Sequence, residues 1–199
     1  MNLGKNIGNA FLVVFETLQS VEKLINKCKA ELDEEKYYMP IENFLRWNSD
    51  KHWSGWVYWS FILLFQRRKD GNVGKNGYIN GAFYAVEINL DAEEYDEPQL
   101  IVAKFEFENV SGWLDKSSSP ITKSDHGYFY SAIHEQGIYE KKDVKNEVVK
   151  IATVEGCEEQ GFWGFRKLYY RAYRLVDVSQ SNYKEMIFGT IEELSKTDF

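Results

Sequence analysis

The feature that most constrains the fold of this chain is the run of residues 53–65, which is apolar on both of its alternating faces. In an extended strand, residues two apart share a face. One face would carry Trp53, Val57 and Trp59, and the other Trp56 and Tyr58. Aromatic and β-branched residues favour a strand, and the uncharged residues 56–65 are too few for a membrane-spanning helix of about twenty residues. The run predicts the central strand of a sheet that is covered on both sides.

Further strand patterns follow along the chain. Residues 78–90 and 100–110 come after a glycine-rich turn and an acidic turn, so together with the first strand they predict an antiparallel meander. In the third strand, apolar Ala103 and Phe105 alternate with Lys104 and Glu106, which predicts one buried face and one face in solvent. Later candidate strands are residues 126–134, 147–154 and 165–178.

Two helices complete the predicted architecture. An apolar stripe with alternating spacings of four and three residues predicts an amphipathic helix over residues 1–38. The stripe consists of Ile7, Phe11, Val14, Leu18, Val21, Ile25, Cys28 and Leu32. It either packs on the protein's own sheet or forms the seam of a dimer. A second apolar face, Tyr183, Ile187, Ile191 and Leu194, predicts a C-terminal helix over residues 182–196.

These elements predict an α+β fold in one domain, residues 1–199. An antiparallel meander of five or six strands, within residues 47–178, would be flanked by the N-terminal and C-terminal helices. The composition, 44% hydrophobic and 28% charged, is that of an ordinary globular protein. A chain of this length can bury roughly 70% of its unfolded surface, so it needs no disulfide to be stable.

The two cysteines, Cys28 and Cys157, are far apart and outside any CxxC pair, which indicates free thiols in a reducing compartment. The apolar core of the N-terminus, residues 10–15, is too short for a signal peptide, and no small-residue cleavage site follows it. We therefore expect a cytoplasmic protein that does not bind a membrane.

Several common chemistries fit this sequence poorly. A net charge of −7 argues against a general nucleic-acid coat, although a local basic site is compatible with it. Gly71 and Gly74 are too close together for a phosphate-binding P-loop. With two cysteines, three histidines and no HExxH motif, the chain lacks the ligands of a closed zinc site. We expect no metal and no cofactor.

Two histidines leave a weaker metal hypothesis open. His126 and His134 are eight residues apart, so on a strand they would share a face. With Asp125 and Glu135 they would form a site of two histidines and a carboxylate. Ordinary surface or turn histidines are the competing interpretation.

Three charged strand residues invite comparison with nucleases that hold a metal on carboxylates. These are Glu87, Lys104 and Glu106. The lysine precedes the acid in the wrong order for that motif, so alternating charges on a solvated strand face are the simpler interpretation.

Residues 165–174 carry four positive charges and no acid. On a strand, Lys167, Tyr169, Arg171 and Tyr173 would share a face. Arginine binds phosphate or carboxylate with two parallel hydrogen bonds, and tyrosine rings stack on bases. The candidate ligand-binding residues are Lys167, Tyr169, Arg171, Tyr173 and Arg174, together with His52 and Trp53, beside which a groove could open. The alternative is a strand whose cations pair with the acidic runs 93–97 and 155–159.

Because the sequence shows no catalytic constellation, we expect a non-enzymatic binding or interaction protein, with a homodimer through the first helix as one option. Its partner would be a protein or an anionic small ligand. The alternative is an enzyme or sensor that acts at the Arg/Tyr strand, residues 165–174. Its ligand would be a phosphorylated small molecule, a nucleotide or a single-stranded nucleic acid.

Overall fold

The computed structural model describes residues 3–47, 51, 57–91, 96–108, 110–113, 126–134, 139–145, 148–153 and 164–197. The chain divides into two compact units, Met1–Asp33 and Glu34–Phe199. The first unit contains helix α1, Leu3–Ala30. Lys27 and Lys29 lie in its last turn, where positive charge interacts favourably with the helix dipole.

The predicted helix over residues 1–38 is too long. Helix α1 ends at Ala30, and Tyr37–Tyr38 forms strand β1 instead. Acidic residues 33–35 follow the helix, and negative charge at a helix C-terminus is unfavourable. Tyr37 and Tyr38 pair with Arg67 and Gln66, so the backbone hydrogen bonds of a strand replace those of a longer helix.

The second unit is built on one antiparallel sheet. Its strands are β1, β2 (Ser60–Arg67), β3 (Phe83–Asn89), β4 (Gln99–Phe107), β5 (Tyr139–Lys145), β6 (Val148–Thr153) and β7 (Phe165–Arg174). Their spatial order is β1-β2-β3-β4-β7-β6-β5. Two meanders, β2-β3-β4 and β5-β6-β7, are therefore joined where β4 pairs with β7. The predicted α+β class with an antiparallel sheet is confirmed, and within the described ranges the sheet has six strands besides the two-residue β1.

Strand β2 starts at Ser60 rather than near residue 53, and it lies beside the edge strand β1 rather than at the centre of the sheet. Val57 precedes the strand and is 48% exposed, whereas Trp53 and Trp56 lie outside the described residues. Phe61 to Phe65 are all buried. The apolar run thus indicated correctly that both faces are covered, but coverage does not determine a strand's place in the sheet order.

Strand β4 is the fourth of the seven strands and is buried on both faces, so the predicted solvent-exposed face is wrong. Lys104 is 5% exposed. Its Nζ atom lies 2.8 Å from Glu106 Oε1 and donates a 3.0 Å hydrogen bond to the Thr197 carbonyl. A buried lysine with such partners avoids most of the cost of an unpaired charge.

A C-terminal helix covers the sheet face that carries Lys104. It consists of a π-helical turn, Glu185–Gly189, followed by helix α3, Thr190–Leu194. The Phe188 ring lies 6.0 Å from that of Phe65, and Tyr173 on β7 contacts Thr190. The predicted C-terminal helix is therefore present.

The opposite face is covered by helix α2, His126–His134, where a strand was predicted. Phe129, Ala132 and Ile133 pack with Ile62 and Ile101 in the hydrophobic core. Their spacing of three and four residues is helical. A spacing of eight residues places two side chains on a similar side of a strand or of a helix. The spacing of the two histidines therefore does not distinguish the two structures.

Candidate functional site

The Arg/Tyr strand corresponds to β7, and most of its predicted ligand-binding side chains have partners within the protein. Arg171 Nη1 donates a 2.8 Å hydrogen bond to Glu193 Oε2. Arg174 Nε lies 2.6 Å from Glu97 Oε1, an acid of the run at residues 93–97. Tyr173 Oη lies 2.6 Å from Thr190 Oγ1. The alternative in which the cations pair with the acidic runs accounts for Arg174, whereas Arg171 pairs with an acid of the C-terminal helix outside both runs.

The two other strand residues of that hypothesis, Tyr169 and Lys167, do not form an open surface either. Tyr169 is fully buried, with Lys104 Nζ 5.2 Å from its ring centroid, so its ring is not open to a base. Lys167 is half-buried. His52 and Trp53 lie outside the described residues. An anionic ligand on this strand therefore stays a prediction.

A different set of polar residues comes together between α2 and the sheet, and we call it the histidine network: Ser60, Glu87, His126 and His134. The two histidines are separated by Tyr130 on the same helical face. The Tyr130 ring stacks on His126 at 5.2 Å and on His134 at 4.2 Å between ring centroids. The stack fixes both imidazoles above the sheet.

The sheet supplies the partners of the two imidazoles. Ser60 on β2 and Glu87 on β3 lie near each other because residue 60 pairs with residue 89 and residue 62 with residue 87. Ser60 Oγ donates a 2.7 Å hydrogen bond to Glu87 Oε1. His126 Nε2 lies 2.8 Å from Ser60 Oγ, and His134 Nε2 lies 2.8 Å from Glu87 Oε2. Both carboxylate oxygens of Glu87 are thus used.

The protons in this network can be assigned from its hydrogen bonds. The Ser60 hydroxyl has one proton, which it donates to Glu87, so its oxygen accepts the proton of His126 Nε2. His126 Nδ1 is then an acceptor, and it has no hydrogen-bond partner among the described residues. Burial lowers the pKa of His126 to about 4; nearby Glu87 opposes this shift and His134 adds to it. His126 is therefore neutral near pH 7.

The structure gives the two histidines a different carboxylate partner from those predicted. The acid between the histidines is Glu87 from the sheet, whereas Asp125 and Glu135 lie outside the described residues. Glu87 could have been singled out as a charge inside the apolar strand 83–88. The described part of the chain contains no group of three or more His, Cys, Asp or Glu residues that could hold a metal ion.

The nuclease comparison also fails geometrically. Glu87 pairs with Ile101 and points toward α2, whereas Lys104 and Glu106 alternate onto the opposite face of the sheet. They cannot share one metal ion across the sheet. Ser60, Glu87 and His126 are each at most 2% exposed, so the histidine network holds α2 on the sheet rather than meeting a substrate.

Helix α1 carries the most exposed apolar surface of the described residues. We call residues 7 and 11–15 the apolar segment. The exposed fractions are Ile7 52%, Phe11 61%, Leu12 60%, Val13 63%, Val14 38% and Phe15 62%. Five consecutive helical residues point in all directions around the axis, so this part of α1 is apolar on every side. Exposed patches of this kind mark interaction sites.

The same heptad stripe is buried further along α1. Val21, Ile25 and Cys28 are at most 4% exposed. Burial raises the pKa of the Cys28 thiol to about 12, and nearby Glu31 contributes to this shift. Cys28 is therefore a buried apolar residue rather than a reactive thiol.

No helix among the described residues combines the length and the apolarity needed to cross a bilayer. No protein-family model, no curated protein and no solved structure matches this chain.

Proposed function

We propose that this protein is a non-enzymatic interaction protein that associates with further copies of itself through the apolar segment of α1. The observation that carries the proposal is the exposure of six large apolar side chains over nine residues of one helix. Exposing apolar side chains to water is unfavourable, and burying them against a partner lowers the free energy.

The size and charge of the segment favour a second copy as the partner. At roughly 100 Å² for each large exposed side chain, two segments would together bury about 1,200 Å² if all six side chains of each were covered, and this is the lower limit of a stable interface. Residues 6–15 carry no charge, so two copies would meet without like-charge repulsion. Ile7, Phe11 and Val14 keep the spacing of a helix–helix seam.

The number of copies is a separate question. In a two-helix seam Leu12 and Val13 would lie on the outward side, whereas an assembly of more helices would cover them too. We propose a dimer as the minimal assembly. A cytoplasmic location and a role without catalysis belong to the same proposal.

Light scattering coupled to size exclusion tests the proposal. The wild type should have at least twice the 23.4 kDa mass of one chain. Phe11→Glu with Val14→Glu should give a folded monomer, because charges in the seam oppose association. Val176→Glu is the matched control: Val176 is 67% exposed and outside α1, so its mass should equal that of the wild type.

Two results would contradict self-association. One is a wild type that stays monomeric up to millimolar concentration. The other is a monomer that sediments with phosphatidylcholine and phosphatidylserine vesicles through Phe11 and Val14, which would assign the segment to a membrane surface instead.

A further inference from the structure

A polar pocket of about 340 Å³ opens on the sheet face beneath the C-terminal helix. Its lining includes Asp70, Tyr84, Lys104, Glu106, Phe107 and Ser195. Strands β3 and β4 form its floor, since Tyr84 and Lys104 are direct cross-strand neighbours. The volume lies at the lower end of the roughly 300–1,000 Å³ typical of small-molecule sites.

The Tyr84 hydroxyl is a hydrogen-bond donor that faces the pocket. Tyr84 is 1% exposed and lines the pocket, and its hydroxyl has no hydrogen-bond partner in the part of the chain that the structure describes. The hydroxyl oxygen is not among the fully buried unpaired atoms of the described residues, so it is accessible from the pocket. Burial raises the pKa of Tyr84, so the hydroxyl keeps its proton. Tyr84 therefore offers a donor for which the described protein supplies no acceptor.

Asp70 offers the pocket an acceptor. Arg67 Nη2 lies 3.4 Å from Asp70 Oδ1, and among the described residues no hydrogen bond reaches the Asp70 carboxylate. The Asp70 side chain is 25% exposed and lines the pocket, so its carboxylate is accessible there. Partial burial and nearby Glu192 raise the pKa of Asp70, whereas Arg67 and Lys104 lower it. A positively charged donor in the pocket would favour the ionised carboxylate.

Lys104 presents the opposite charge to the pocket. Its ammonium group has three protons, and the described contacts use two of them, on Glu106 at 2.8 Å and on the Thr197 carbonyl at 3.0 Å. Arg67 lies beside Asp70 and Lys104 beside Glu106, so the two cations balance the two acids. A ligand without net charge, but with both a positive and a negative group, fits this balance.

We propose that the pocket binds a free α-amino acid. The ligand's ammonium group pairs with Asp70, and its carboxylate accepts hydrogen bonds from the Tyr84 hydroxyl and the third proton of Lys104. A simple anion would meet Asp70 and Glu106, and a simple cation would meet Lys104 and Arg67. The zwitterion offers a partner to the Asp70 carboxylate, the Tyr84 hydroxyl and the third proton of Lys104 at once.

Saturation-transfer NMR with the twenty free α-amino acids tests this assignment. Ethanolamine, which lacks the carboxylate, and glycolate, which lacks the amine, serve as partial probes. We expect at least one amino acid to bind the wild type and both partial probes to bind at least tenfold more weakly. Asp70→Asn and Tyr84→Phe should each weaken amino-acid binding about tenfold.

Two exposed residues provide matched controls. Asp177→Asn and Tyr128→Phe make the same chemical changes at side chains of Asp177, 57% exposed, and Tyr128, 37% exposed, so binding should stay at the wild-type level. Circular dichroism melting of each variant separates loss of the pocket from loss of the fold.

Two results would overturn the assignment. In the first, none of the amino acids binds the wild type at 10 mM. In the second, glycolate or ethanolamine binds as well as the best amino acid. The pocket lies wholly within residues 34–199. Monomeric Phe11→Glu with Val14→Glu should therefore bind amino acids normally, so a failure here is distinguishable from a failure of the self-association proposed above.

Discussion

The sheet carries a cluster of polar residues on each face, and the two clusters differ in how completely their hydrogen bonds are made. In the histidine network, Glu87 uses both oxygens and Ser60 bonds on both sides, and His126 Nδ1 is the buried atom of this network that lacks a partner among the described residues. In the pocket, the Asp70 carboxylate accepts no hydrogen bond from the described residues, and the Tyr84 hydroxyl donates none to them. Polar groups that satisfy one another stabilise a fold. Polar groups that line a pocket without such bonds are available to a ligand.

Replacing the acid in each cluster should give the largest contrast in stability. Glu87→Ala removes the acceptor of both the Ser60 hydroxyl and His134, and we expect a loss of about 3–5 kcal/mol in the free energy of unfolding. Asp70→Asn should cost less, because it removes no hydrogen bond, only the 3.4 Å ion pair with Arg67, and the Asp70 side chain is 25% exposed. Urea unfolding followed by tryptophan fluorescence measures both.

If the Glu87→Ala protein is too unstable to purify, Glu87→Gln provides the comparison at nearly constant volume. A Glu87 variant as stable as the wild type would show that the histidine network does not hold the fold together.

The pH dependence of stability should be dominated by the histidine network. The pKa of His126 is about 4 in the folded protein, against an ordinary 6.5. Above pH 6.5 the residue is neutral in both states. As the pH falls from 6.5 to 4, the unfolded chain takes up the proton first, so stability falls by up to about 3 kcal/mol and then levels off.

Urea unfolding between pH 5 and 7 tests this, because most carboxylates stay ionised in that window. NMR titration of the His126 ring carbons gives an independent reading of its pKa in the folded protein. A His126 that titrates near pH 6.5 would contradict the expectation.

Removing one hydroxyl from each cluster is the finest comparison. Ser60→Ala leaves both the His126 Nε2 proton and Glu87 Oε1 without their partner, and should cost about 1–3 kcal/mol. Tyr84→Phe removes a hydroxyl that bonds to nothing among the described residues, so the free energy of unfolding should stay within about 0.5 kcal/mol of the wild type. Equal losses of stability for the two variants, measured by thermal melting, would show that the two clusters do not differ in this way.

The secondary structure was predictable wherever side-chain periodicity reflects burial. The apolar run that ends at residue 65 indicated β2, flanking turns indicated β3, and alternation indicated β4. A four-residue spacing indicated the C-terminal helix. Helix α2 was missed because its short segment was judged by two histidines rather than by Phe129 and Ile133, whose spacing is helical.

The candidate sites were much less predictable. Residues 165–174 attracted attention through their composition, yet Arg171 and Arg174 pair with Glu193 and Glu97, which are distant in sequence. Conversely, the sequence pattern places Glu87 on a solvated strand face, and it does not mark Asp70 or Tyr84 as site residues. A side chain's partners depend on strand register and helix placement, and neither can be read from local sequence.

The sequence by itself determined the α+β class, the approximate positions of most strands and the apolar stripe of α1, because these follow from the local alternation of apolar and polar side chains. Tertiary structure alone decided that β4 is central, that the C-terminal helix buries Lys104 and that Ser60, Glu87, His126 and His134 meet. The physical reason is that these outcomes depend on contacts between residues far apart in the chain. The free energies of these contacts are determined by packing and by hydrogen-bond geometry. Neither can be read from one stretch of sequence.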